Sequence, residues 1–74
     1  MSVQEISISN NQKKALLKAF KKKKEVIFED ENGDLVVSVD AYEDFLDEIT
    51  KEPIEEIIGE GVLNYDAEYF VFSA

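Results

Sequence analysis

The chain has no cysteine, no histidine and no tryptophan, and all eight of its cationic residues are lysine, so arginine is absent too. Without Cys and His it can build no disulfide framework, no thiolate or imidazole metal site and no Cys/His or Ser/His/Asp nucleophile. Without Arg it lacks the commonest bidentate reader of guanine. Glycine occurs three times, and Gly33, Gly59 and Gly61 fit no phosphate-loop or dinucleotide-binding spacing. No apolar run approaches about 18 residues, and Met1 to Gln4 lead into a strand-like segment rather than a charged and then apolar leader. No membrane partner and a cytoplasmic location are therefore expected.

What is present is a short, acidic and moderately apolar chain. Its 74 residues leave room for a single domain, residues 1–74, with no second. Hydrophobic residues make up 45% of the chain, including five Phe and three Tyr, which is too apolar for the class of chains that stay disordered. The net charge of −9 conceals a division. Residues 1–24 hold seven Lys and one Glu, a net of +6, whereas residues 25–74 hold one Lys and sixteen acids, a net of −15. Such runs are most often solvated faces that keep a small domain soluble. The sharper expectation makes them two opposite binding surfaces.

The β-branched segment Val3 to Ile8 reads as a strand. Ser9, Asn10 and Asn11 are N-cap types, so a helix opens there and is expected to run to about Lys24. It carries Ala15, Leu16, Ala19 and Phe20 on one side and Lys14, Lys18, Lys21 and Lys22 on the other. Glu25 to Asp30 and Leu35 to Val39 read as strands. With Asn32-Gly33 as a two-residue hairpin turn, Phe28 faces Val37 and Val26 faces Val39, which puts Phe28 on the core side. An EF-hand loop starting at Asp30 fails, because its glycine position holds Leu35 and its bidentate acid position holds Ala41.

Asp40 with Glu43 resembles a capping box, and Tyr42, Phe45, Leu46 and Ile49 follow as an apolar helical stripe. Asp40, Glu43, Asp44, Asp47 and Glu48 fall on the opposite side. Pro53 starts a short third helix bearing Ile54, Ile57 and Ile58, ended by Gly59 or Gly61. Val62 to Ala74 reads as one or two strands, with Tyr69 to Phe72 too apolar to stay exposed. The expected fold is therefore α+β: strand, helix, two strands, helix, a short helix and one or two final strands, with the helices on one face of a mostly antiparallel sheet.

Enzymatic chemistry is not expected, and no cofactor, metal or small-molecule substrate is assigned. Carboxylate pairs such as Glu43 with Asp47 lie on a solvated face, whereas a general acid needs a carboxyl whose pKa is raised by burial. Exposed acids of this kind also hold hard cations weakly. The lysine stripe could contact phosphates, with Asn10, Asn11 or Gln12 left to read bases.

The run Ile6-Ser7-Ile8-Ser9-Asn10, then Glu25 to Phe28, Asn32-Gly33, Leu35 to Ser38 and Ala41 to Leu46 resembles the N-terminal domain of prevent-host-death (Phd/YefM-type) antitoxins. Ser38 followed after three residues by Tyr42-Glu43 keeps a spacing of that family, and the resemblance spans about residues 3 to 49. It implies a homodimer that binds operator DNA through the first strand and helix, with Asn10, Lys13 and Lys14 nearest the DNA, and that neutralises a partner toxin.

Two functional expectations follow. The first is a non-enzymatic antitoxin-like regulatory module acting through DNA or a partner protein, with Asn10, Lys13, Lys14, Lys18, Lys21 and Lys22 against nucleic acid. The alternative is an acidic inhibitor that imitates nucleic acid, of the sort encoded by mobile elements, directed at a nuclease or DNA-binding protein. Asp40, Glu43, Asp44, Asp47, Glu48, Glu55 and Glu56 would then meet a basic protein partner.

Overall fold

A computed structural model describes residues 2–21 and 23–74. Its elements are β1 (Val3–Ser7), α1 (Asn10–Ala19), β2 (Ile27–Glu29), β3 (Leu35–Ser38), α2 (Val39–Leu46), α3 (Pro53–Ile58) and β4 (Tyr69–Ser73). The strands form one sheet in the order β1-β4-β3-β2, with β4 parallel to β1 and antiparallel to β3, and β2 antiparallel to β3. The fold is α+β on a mostly antiparallel sheet. β1 and β2 run in the same direction on opposite edges, so α1 is the crossover that joins them.

Register divides the sheet into two unlike faces. Leu35, Phe72 and Ile6 form one cross-strand row, and Ile27, Val37, Phe70 and Gln4 form the next. The apolar members of these rows share a core with Leu16 and Phe20 from α1, Tyr42 from α2 and Ile54 from α3, so the helices cover this face. Full burial of a side chain such as Phe70 stabilises by about 1.5–3 kcal/mol, large against the few kcal/mol that hold a small domain together. The other face carries the row Phe28, Val36, Val71 and Glu5, and no helix residue joins that row in the core.

Local hydrogen bonds explain where elements begin. Ser9 caps α1 by accepting from the Gln12 amide at 3.1 Å, while Gln12 Oε1 accepts from Ser9 N–H at 2.9 Å, a full capping box. Gln12 Nε2 also donates to the Ile57 carbonyl at 3.2 Å, tying α1 to the end of α3. Pro53 occupies the first turn of α3, whose N-cap Glu52 makes no side-chain cap bond. The Ile54 N–H instead donates to Tyr42 Oη at 3.3 Å, so a buried tyrosine of α2 caps the next helix. Gln4 pins the 62–64 loop to β1, donating to Val62 O at 2.8 Å and accepting from Asn64 N–H at 2.7 Å.

Three expectations are corrected. The hairpin pairs Ile27 with Val37, Phe28 with Val36 and Glu29 with Leu35, one residue out of the register expected from a two-residue turn. Its loop has three residues, because Gly33 N–H bonds Asp30 O and Asp30 N–H bonds Asp34 O. The Asp30 carboxylate accepts from both the Asn32 and the Asp34 amide at 2.9 Å, and Gly33 takes a φ of +82°. Ile27 is therefore buried and Phe28 is 47% exposed. Second, the cap of α2 is Ser38, whose Oγ accepts from the Ala41 amide, so Val39 begins the helix and Asp40 lies within its first turn. Third, α1 ends at Ala19 with Phe20 as its C-cap, short of Lys24. Tyr69 to Phe72, expected to be too apolar to stay exposed, is an interior strand flanked on both sides.

Candidate functional site

The cationic set does not stay together. Lys13 leans off α1 onto the hairpin, with Nζ 2.9 Å from Glu29 Oε2 and donating to the Gly33 carbonyl at 2.5 Å. That charge-assisted contact makes Lys13 a strut between helix and turn. Gln12 is likewise engaged at both ends of its amide, so neither residue is free to meet a nucleic acid. Lys23 lies 3.6 Å from Glu48 and 5.6 Å above the Phe45 ring, joining the chain after α1 to α2. Asn10, Lys14, Lys18 and Lys21 are exposed, and these lysines, with Lys24, make no ion pair among the described residues. Lys22 lies outside the described residues.

The acidic set is brought together as expected on one side of α2. Asp40, Glu43, Asp44, Asp47 and Glu48 are all exposed, while Val39 and Tyr42 on the inner side are buried. Only Glu48 has a cationic partner among the described residues. Phe20 fixes the helix from within, its ring 5.8 Å from Tyr42 and 5.3 Å from Phe45. Glu56 is exposed on α3, but Glu55 is turned inward enough to accept from Tyr65 Oη at 2.6 Å.

Glu55 also shares a hydrogen bond with Glu52, which was not foreseen. The bond and the adjoining negative charge raise the Glu52 pKa, and the same bond, with that from Tyr65, lowers that of Glu55. Glu52 is exposed and Glu55 half-buried, so neither carboxyl has the dry setting that a general acid needs. Burial raises the phenol of Tyr42 to about 12, and burial with the Glu55 carboxylate raises that of Tyr65. Among the described residues no three acids converge as a cation site. No helix of the described residues is long and apolar enough to cross a membrane.

A further feature escaped the sequence reading. Leu17 and Phe28, exposed by 39% and 47%, flank a groove between α1 and β2 whose lining also includes Phe20, Ile27, Lys21 and Lys24. Leu17 could have been singled out, since it is an apolar residue one turn before Lys21 and toward the cationic side of α1. Phe28 could not, because its exposure depends on the hairpin register.

No family model, curated protein or solved structure matches the chain.

Proposed function

We propose that the chain is a non-enzymatic binding module that presents the acidic face of α2 to a cationic groove on a partner protein, in imitation of nucleic acid. Charge spacing carries the reading. At 1.5 Å per residue, Asp40 to Glu48 span about 12 Å, so their five acids stand about 3 Å apart on average along the axis. Duplex DNA has about one charge per 1.7 Å with both strands counted and about one per 3.4 Å along each strand, which brackets that value. A nuclease or DNA-binding protein in the cytoplasm is the partner this surface suits. The test is capture of a basic protein from nuclease-treated lysate at low and high salt. Adding the chain should displace duplex DNA from the captured protein, and the combined change of Asp44→Asn, Asp47→Asn and Glu48→Gln should slow association and flatten its salt dependence. Capture unaffected by those changes would remove the reading.

A second reading is kept because Lys14, Lys18 and Lys21 remain exposed and unpaired among the described residues despite the excess of acids. It is a homodimeric antitoxin-like regulator contacting DNA through Asn10 and these lysines, without Lys13. Changing the three to Gln should then weaken duplex binding for every sequence and lower the salt slope by about 0.9 per lost contact. Sedimentation as a monomer at high micromolar concentration would exclude its dimeric form.

A further inference from the structure

The groove between α1 and β2 has three properties that belong together. Its floor and walls are apolar, with Phe20 and Ile27 buried beneath and Leu17 and Phe28 standing exposed on either side. Its rim carries Lys21 and Lys24, which have no ion-pair partner among the described residues, while its one acid, Glu29, is already neutralised by Lys13. The groove is thus locally cationic in a protein of net charge −9.

Its third property is an open strand edge. Ser38 N–H bonds Val26 O and Asp30 N–H bonds Asp34 O, so the Val26 carbonyl, Phe28 and the Asp30 N–H turn toward β3 and its loop. Alternation then turns Ile27 and Glu29 outward. The Ile27 N–H is taken by the Lys23 carbonyl at 3.1 Å, which leaves the Ile27 C=O and both backbone groups of Glu29 facing away from the sheet. An unpaired edge beside an apolar groove is the arrangement by which sheets accept an added strand.

We infer that this groove takes a short, extended, acidic segment of a partner protein as a fifth strand beside β2. An apolar side chain of that segment sits between Leu17 and Phe28, and flanking carboxylates meet Lys21 and Lys24. Charge complementarity selects an acidic occupant, and the apolar floor selects a peptide over a polyanion, since phosphates gain nothing from Leu17 or Ile27. This surface is separate from the acidic face of α2 and does not depend on the reading given to that face.

The experiment is selection of a displayed library of random ten-residue peptides on the intact chain, with the enriched peptides remade and labelled for anisotropy. Enriched sequences should combine a large apolar residue with Asp or Glu. Their affinity should fall at least tenfold for Phe28→Ser and for Lys21→Gln combined with Lys24→Gln, and stay unchanged for Asp44→Asn. Amide exchange at Glu29 should slow when peptide binds. The substituted side chains are exposed, and an unchanged melting temperature verifies that each variant folds. Four results would overturn the inference: no enrichment, enrichment of basic peptides that depend on Asp44, binding of a labelled oligothymidylate lost in the same variants, or sedimentation as a dimer that Phe28→Ser dissolves.

Discussion

α1 and α2 are both amphipathic, of opposite charge, and they differ in how far the fold accounts for that charge. In α1 the cations agree with their surroundings. Lys18 lies in the last turn, where the helix dipole favours it, and Lys13 braces the hairpin. In α2 they do not. Asp40 sits well in the first turn, but Asp47 is the C-cap and Glu48 follows, with no basic residue in the last turn to offset them. Acids at the negative end of a dipole, and at i, i+4 from one another, lower stability. The charge of α1 is partly structural, whereas that of α2 exceeds anything the fold asks for. Surplus charge held at a cost in stability is what a binding surface looks like.

The largest effect tests the ground on which α1 and its hairpin are described. Ile27→Asp should unfold the domain, because an unpaired charge on the buried face costs several kcal/mol against a total of about 4–11 kcal/mol. Phe28→Asp, on the open face, should leave a folded protein with a loss of about 1 kcal/mol or less. Circular dichroism with denaturant titration distinguishes them, and the reverse order would restore the two-residue turn.

That pair also shows where sequence reading stops. A cap among Ser9 to Asn11, Pro53 at the start of α3 and a glycine, Gly59 or Gly61, at its end were legible because each is local: a side chain or a ring fits one backbone position. The existence of the hairpin was legible from Asn32-Gly33, but its register was set by the Asp30 carboxylate, which gathers two amides and adds a residue to the turn. One residue of slip carries Phe28 to the other face. The place of β4 between β1 and β3 was not legible, since strand order is decided by tertiary pairing and not by local pattern. The acids of α2 were legible as a face, and the groove at Leu17 was not, because it needs both the true register and the end of α1 at Ala19.

The next effect belongs to the inner side of α2. Burial raises the Tyr42 phenol from its ordinary value of 10.0 to about 12, so the unfolded chain loses this proton first. The stability that depends on the protonated phenol is complete below pH 10 and is lost as pH rises toward 12. A loss on the order of 2 kcal/mol is expected over that window. In Tyr42→Phe that part of the alkaline loss should disappear, leaving the share of Tyr65, while stability at neutral pH drops by about 1 kcal/mol for the Ile54 N–H left without its acceptor. Thermal melts from pH 8 to 12 read both.

A smaller effect sharpens the contrast among the lysines. Lys13→Gln should cost about 1–2 kcal/mol, because it removes a partly buried, charge-assisted bond to the Gly33 carbonyl and leaves Glu29 unpaired. Lys14→Gln, one residue along and exposed, should change stability by no more than about 0.5 kcal/mol. Equal costs at the two positions would show that the strut is not holding the hairpin.

The smallest effect is the most informative about α2, because its sign is opposite to that of the others. Asp47 is the C-cap, an acid at the negative end of the helix dipole with no basic residue in the last turn, and Glu43 is a like charge at i−4. Asp47→Asn relieves both repulsions and keeps the size of the side chain, so it should raise stability by a few tenths of a kcal/mol, within the range of about 0.3–1 kcal/mol for a charge at a helix end. The gain should shrink in high salt, which screens the exposed charges. Binding should move the other way, with Asp47→Asn weakening association with a cationic partner while the melting temperature rises. Such opposition is expected only of a side chain kept for contact, since a residue retained for folding loses both together. If Asp47→Asn lowers the melting temperature, the acids of α2 serve the fold after all, and α1 and α2 cease to differ in kind.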